Sequence, residues 1–267
     1  MSRKCIKRVS RLRRPKGYRA LLGIQNAKTI KGEKLGYLTG ILYMSPANES
    51  GVLNTCTSAT KNCKRLCLKK SGRMGFTQSV RARISKTRLL VRDRELFLAC
   101  LRYDIRRLIN RASRLGLIPC VRVNGTSDLA WLALAMAAEF PEVQFYDYTK
   151  HIKAEQWVRP NYHLTFSHSG ENTAECMRVL SLGVNVSVVF NTKRGQPLPD
   201  TWNGYRVVDG DEHDLRFLDP RGVVVGLRAK GIARGKVCAF VVDAAPLIQI
   251  SAAMSPAQLE TRLAAAA

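Results

Sequence analysis

Cys56, Cys63 and Cys67 stand close together in the run Asn54-Thr-Cys-Thr-Ser-Ala-Thr-Lys-Asn-Cys-Lys-Arg-Leu-Cys-Leu68. Cysteine thiolates are the ligands of iron–sulfur clusters, and a cubane held by three of them keeps one iron position open for substrate, cofactor or water. A [4Fe-4S] cluster on these three residues is therefore the first chemistry to expect, with the metal as a working part. Zinc is the alternative, but its closed sites usually pair C-x₂₋₄-C with a second Cys or His pair. Here the spacing is six then three, and the nearest histidine along the chain is His151. Lys61, Lys64, Arg65, Lys69 and Lys70 flank the thiols, and such cations lower thiolate pKa values and offset cluster charge.

The other five cysteines do not ask for disulfides. Cys100 and Cys176 fall on apolar helical stripes, and Cys120 and Cys238 inside apolar strand-like runs, where a free thiol behaves as a small hydrophobe. The basic start Met-Ser-Arg-Lys-Cys-Ile-Lys-Arg is followed by no apolar signal region. The expected compartment is a reducing cytoplasm, that of the host cell if the chain is phage-encoded. The longest apolar stretch, Leu129 to Phe140, is too short to span a bilayer, so no membrane partner is expected.

Charge points to a different partner. The net formal charge is +24, and it is localised: residues 1–35 carry +11, residues 61–114 carry +14, and the remainder is near neutral. Neutralising phosphates releases condensed counterions, so a dense positive region beside a neutral body marks a polyanion binder. Nucleic acid, DNA or RNA, is the expected partner, with Lys61, Lys64, Arg65, Lys69, Lys70, Arg73, Arg81 and Arg88 as candidate contacts.

These residues need elements to hold them. Residues 1–34 alternate Arg or Lys with single apolar residues and read as a basic arm that orders on a partner. Residues 35–250 read as one α/β body, and 251–267 as an Ala-rich helical tail opened by the capping box Ser255-Pro-Ala-Gln258. Leu35 to Ser45 reads as a buried strand ahead of the cysteine loop. Helical periodicity then runs from Thr77 to Leu115, with Gly116 ending it and Asp93 placed to cap a second segment. Strand-like and helical runs alternate afterwards: strands at 119–124, 143–147, 162–167, 184–190 and 223–227, helices at 128–139 and 171–182. Such alternation predicts a parallel sheet, and about six repeats predict a partial (β/α)₆-type barrel.

In parallel α/β folds ligands gather at the carboxyl ends of the strands. The residues there are polar: Asn124-Gly-Thr-Ser-Asp128, Tyr146-Asp-Tyr-Thr-Lys150, Ser167-His-Ser-Gly170, Asn191-Thr-Lys193 and Arg228-Ala-Lys230, beside the cysteine loop. Asn124, Ser127, Ser167 and Asn191 are candidate cofactor contacts. Asp128 and Asp147 are candidate catalytic carboxylates, although Ser127 or Asp128 at a helix start also fits a cap. His163 fits a core histidine, His168 fits core or site, and Tyr146 and Tyr148 fit either base stacking or core packing.

The Asn-Thr-Cys…Cys…Cys-Leu loop, Arg122-Val-Asn-Gly-Thr-Ser-Asp128, Phe145-Tyr-Asp-Tyr-Thr-Lys150, His163-Leu-Thr-Phe-Ser167 and Leu215-Arg-Phe-Leu-Asp-Pro-Arg-Gly222 resemble bacteriophage and prophage proteins over roughly residues 25–242. More distantly, a cysteine triad after the first strand of a partial barrel resembles the radical S-adenosylmethionine enzymes. That resemblance implies a cubane on three cysteines whose open iron binds S-adenosylmethionine. The spacing differs from that superfamily's three-then-two pattern, and Asn124-Gly-Thr-Ser stands nearest to its Gly-Gly-Glu position.

Three functions follow as expectations: an iron–sulfur protein with a nucleic-acid-binding surface and radical chemistry as one option; a binding module whose metal only holds the loop; and a metal-dependent nuclease using Asp128 and Asp147.

Overall fold

The computed structural model describes residues 12–24 and 27–244. Cys5, most of the expected basic arm's first third and the tail capping box lie outside the described residues. Chain order is β1 (Leu22–Gly23), α1 (Ala27–Glu33), β2 (Tyr37–Leu42), α2 (Lys61–Arg65), α3 (Thr77–Arg92), α4 (Arg94–Leu115), β3 (Ile118–Arg122), α5 (Ala130–Glu139), β4 (Gln144–Thr149), β5 (Tyr162–Ser167), α6 (Thr173–Ser181), β6 (Val186–Phe190), β7 (Thr201–Trp202), β8 (Tyr205–Asp209), β9 (Val224–Arg228) and β10 (Val241–Val242).

The strands form one ten-stranded sheet in the order β1-β2-β3-β4-β5-β6-β9-β8-β7, with β10 paired to β6 off that path. Pairing is parallel from β2 through to β8, and β1 and β7 are antiparallel at the two ends. The α/β class and the largely parallel sheet are as the alternation predicts. The barrel is not: the sheet is open, with β1 and β7 as unjoined ends. Two connections explain why. Between β4 and β5 lies a single 3₁₀ turn, Ala154–Trp157, and between β6 and β9 lies the β7–β8 hairpin where a helix would continue the winding.

Alternation along each strand divides the two faces. Leu38, Leu42, Val121, Val123, Phe145 and Leu164 share one core with Leu101, Ile105, Leu108 and Ile109 of α4 and Leu132 and Met136 of α5. Cys120 and Tyr146, one residue out of phase, pack on the other face against Leu215, Tyr37 and Phe217. Gly40 lies beside α4; a Cβ there would meet Leu108 at 3.2 Å.

The long helical region breaks where the sequence places the cap. Asp93 accepts a hydrogen bond from the Leu96 amide at 2.9 Å and opens α4, which ends at Gly116 in the left-handed region at φ 66°. Within the stretch expected to be a basic arm, the segment from Tyr18 onward is held on the body. Asp104 of α4 accepts from the Tyr18 hydroxyl and from the amides of Leu21 (2.7 Å) and Leu22 (3.1 Å), and β1 extends the sheet beside β2. Among the described residues no helix is long and apolar enough to cross a membrane.

Candidate functional site

The cysteine loop crosses the carboxyl ends of the strands and is fastened at several of them. Its Thr55 carbonyl accepts from the Asp128 amide at 2.7 Å, beyond β3. Ser58 shares a hydrogen bond with His151 Nδ1 at 3.0 Å, beyond β4, and Thr60 donates to the Ser169 carbonyl at 3.1 Å, beyond β5. Leu66 is buried with Ala229, Ala233 and Val241, beyond β9 and in β10. Gly125, in the turn after β3, lets that turn lie close to the end of β2, since a Cβ there would sit 2.8 Å from the Leu42 carbonyl. Thr60 also caps α2 by accepting from the Cys63 amide at 3.2 Å, which sets the position of that thiol.

All three thiols are partly buried in this loop. Burial pushes the Cys56 and Cys67 thiols up, and the charge of Cys67 acts on Cys56 as that of Cys63 acts on Cys67. Opposing this, the Ala47 backbone favours the Cys56 thiolate, and the Lys69 backbone and the ammonium groups of Lys69 and Lys150 favour that of Cys67; Cys56 Sγ lies 3.7 Å from the Thr126 carbonyl and 3.8 Å from Thr55 Oγ1. Ala47 sits at φ 48°, a left-handed conformation a non-glycine residue holds only when its surroundings enforce it. Among the described residues, no group of three or more Cys, His, Asp or Glu side chains is gathered closely enough to hold a metal ion. The donor set is nonetheless soft sulfur with backbone and ammonium groups around it, the surroundings that suit thiolate-ligated iron.

His151 lies beside the loop, but both its nitrogens are engaged: Nδ1 with Ser58 and Nε2 with the Asp128 carbonyl at 3.2 Å. Asp128 is not a helix cap; its carboxylate accepts from the Lys150 amide at 3.0 Å and faces His151 at 3.8 Å. Asp147 is 1% exposed. It accepts from the Asn124 amide at 2.7 Å, from Asn124 Nδ2 at 3.1 Å and from the Tyr162 hydroxyl. Burial pushes its carboxyl up to about 7, despite Arg122 and the two bonds from Asn124. Asn124 passes the constraint on, its Oδ1 accepting from Ser127 Oγ (2.8 Å) and the Leu129 amide (2.9 Å). Asp147, Asn124 and Ser127 thus form one chain of bonds that shapes the turn into α5.

Ser167 accepts from Ser187 at 3.1 Å between β5 and β6. Asn191 turns away from the thiols and ties down the carboxyl-terminal segment, donating to Asp243 at 3.1 Å and accepting from the Ala244 amide at 2.9 Å. Tyr146 is fully buried, and Arg122 lies over the Tyr148 ring at 4.5 Å, so both tyrosines are occupied with packing. His168 is 5% exposed and His163 half-buried. Burial lowers both to about 4, helped at His163 by Arg216 and Arg221 and at His168 by Lys150.

The candidate polyanion contacts fall in two groups. Lys61, Lys64 and Arg65 are exposed on α2 and Arg73 on the 3₁₀ turn that follows. Lys69 lies 3.4 Å from Glu49, and the Lys70 side chain lies outside the described residues. Arg81 and Arg88 are exposed on α3, where they line a cleft of about 420 Å³ with Arg19, Ser85 and Arg92. Reading the sequence for charge marked α3 as basic, but nothing local in the sequence joins Arg19 to it.

No curated protein and no solved structure matches the chain, and the likeness to radical S-adenosylmethionine enzymes finds no support in these comparisons. A family model described as gene product 88 matches residues 19–244, nearly the stretch over which the motifs resemble phage proteins. The chain belongs to the gene product 88 family.

Proposed function

We propose that this chain is a nucleic-acid-binding iron–sulfur protein, with Cys56, Cys63 and Cys67 as the protein ligands of a [4Fe-4S] cluster. The observation that supports it most is the surroundings of the sulfurs. Three thiols share one loop, with Cys67 acting on Cys56 and Cys63 on Cys67, and the Ala47 backbone at Cys56 and the Lys69 backbone with the Lys69 and Lys150 ammonium groups at Cys67 favour the thiolates. Hydrogen bonds to sulfur and nearby positive charge are the means by which a protein stabilises a cluster and sets its potential. In this reading cluster assembly draws the loop together and displaces the thiol protons, so loading falls with falling pH. The engagement of both His151 nitrogens favours three sulfur ligands and an open position over a closed zinc site.

Purified anaerobically, the full-length protein is expected to be brown and to contain iron and acid-labile sulfide. Cys63→Ser abolishes both, and His151→Ala retains them. A colourless protein with one zinc per chain, lost in His151→Ala, would overturn the cluster. Use of S-adenosylmethionine is a further step within this reading, tested by reducing the loaded protein with it and measuring 5′-deoxyadenosine.

The reading as a binding module with a structural metal shares the same ligands and differs in outcome: Cys63→Ser then unfolds the loop and no turnover is found. The nuclease reading is the least favoured, because the Asp147 oxygens already serve Asn124 and Tyr162 inside the body.

A further inference from the structure

Arg81, Ser85, Arg88 and Arg92 recur along one face of α3 at intervals of four, three and four residues, and Arg19 closes the same cleft from the amino-terminal segment. That meeting is constructed. Lys86 of α3 donates to the Leu21 carbonyl at 2.7 Å, Asp104 of α4 holds the Leu21 and Leu22 amides, and the Arg19 amide points to Cys100 Sγ at 3.5 Å. A segment more than sixty residues away in sequence is thereby fixed beside α3 with its guanidinium at the cleft.

No acidic side chain lines this cleft, and among the described residues none of its four arginines is in an ion pair with a carboxylate. Arg88 has one weak partner, the Ser50 carbonyl at 3.4 Å. Like charges four residues apart on a helix, as Arg88 and Arg92 are, destabilise it. Folding alone therefore does not account for the arrangement. From Arg81 to Arg92 is roughly 16 Å along the helix, at about 1.5 Å per residue. Charges spread over that length match a run of phosphates better than one small anion.

We propose that this cleft is the phosphodiester-binding site of the protein, with Arg19, Arg81, Arg88 and Arg92 each contacting phosphate and Ser85 donating its hydroxyl. The proposal rests on the reading of the chain as a nucleic-acid binder and adds where the backbone lies. Guanidinium groups suit it, since their planar donors meet two phosphate oxygens at once.

The test compares two triple variants of the full-length protein with equal loss of charge. Arg81→Gln/Arg88→Gln/Arg92→Gln removes cleft arginines. Arg102→Gln/Arg106→Gln/Arg178→Gln removes arginines paired with Glu139, Glu155 and Glu175. Binding of labelled duplex DNA, single-stranded DNA and RNA is followed against salt. The cleft variant is expected to reduce the slope of log affinity on log salt by about 2 to 3, at ~0.9 per phosphate for duplex and ~0.7 for single strands. The paired variant should leave the slope within about one of wild type. Ser85→Glu, which sets a carboxylate in the cleft, should weaken binding at least tenfold, with unchanged melting temperature.

Equal slopes for the two triple variants would overturn the cleft while leaving nucleic-acid binding standing. So would cleft-dependent binding to phosphatidylserine vesicles without cleft-dependent binding to any nucleic acid. Failure of the wild-type protein to bind all three nucleic acids at low salt would remove the underlying reading and the cleft with it.

Discussion

Arginines of the two halves of this molecule are treated differently. Three of those toward the carboxyl terminus are matched by carboxylates: Arg122 lies 3.0 Å from Asp214, Arg216 3.3 Å from Asp219, and Arg228 2.8 Å from Asp209. Three of those acids come from the one segment Asp209-Gly-Asp-Glu-His-Asp-Leu-Arg-Phe-Leu-Asp219, which covers the sheet face opposite the helices. On α3 the exposed arginines have no such counterpart. Arg122 and Arg216 of the matched set are buried and serve the fold, because an ionised group removed from water must be neutralised in place, while Arg228 is half-buried. The unmatched set is exposed, contributes nothing to packing and remains available to a partner. Equal residue type therefore says little about role; the whereabouts of the acids says more.

The sharpest way to break this comparison is to make the same kind of change in both regions. Arg122→Met leaves Asp214 buried without its cation and is expected to cost about 3–5 kcal/mol in denaturant unfolding. A loss under about 1 kcal/mol would mean that the paired region is not held by its ion pairs. Asp104 is an acid that serves the basic region structurally. Asp104→Ala strands the Leu21 and Leu22 amides and the Tyr18 hydroxyl, and should cost about 3 kcal/mol. It should also raise protease cleavage near residue 20.

Acid supplies a third probe, again within the paired region. His163 and His168 are lowered to about 4, so they contribute stability that is complete above their unfolded value near 6.5 and is lost as pH falls towards 4. Asp147 and Asp219, raised to about 7 and about 6 by burial, act in the opposite sense: their contribution is greatest in acid and declines as pH rises. The opposed effects partly cancel in the wild-type protein. His163→Gln/His168→Gln removes one side of the balance, and between about pH 7 and about pH 4.5 it should gain on the order of 4–5 kcal/mol relative to wild type, roughly 2.4 for each imidazole. Parallel pH dependence in the two proteins would contradict the burial of these imidazoles.

Smaller effects complete the series. Asp93→Ala removes the cap of α4 and should cost about 1 kcal/mol. Arg88→Gln should change stability by less than about 0.5 kcal/mol, in contrast to Arg122→Met.

Much of the body is legible in the chain because its signals are local. The β2 to β6 strands, α5 and α6 follow from periodicity, and Asp93 and Gly116 mark a boundary by capping chemistry that needs no distant partner. The β7–β8 hairpin had a local signal as well: Asn203-Gly204, both at positive φ, joins two short strands in the manner that dipeptide favours. What could not be read depends on distant residues. Nothing near Tyr18 announces Asp104, nothing near Asp147 announces that its oxygens shape the turn at Asn124, and open sheet ends look like a barrel when each strand is viewed by itself. The cysteine spacing named three candidate ligands, while the backbone groups of Ala47 and Lys69 that favour the thiolates follow from chain geometry alone.

One feature at the mouth bears on how the molecule is made. Val241 and Val242 of β10 pair with Val189 and Phe190, the end of β6 that lies past its short pairing with β5. Gly170, at φ 89°, accommodates the same segment, since a Cβ there would meet the Ala239 backbone at 2.5 Å. Until β10 is made, the β5-side edge of that stretch of β6 is uncovered, while its other edge is already paired with β9. Leu66 also lacks Val241 against which to bury itself. Among the described residues, the cysteine loop thus takes one of its supports from β10, the last strand of the sheet to be synthesised.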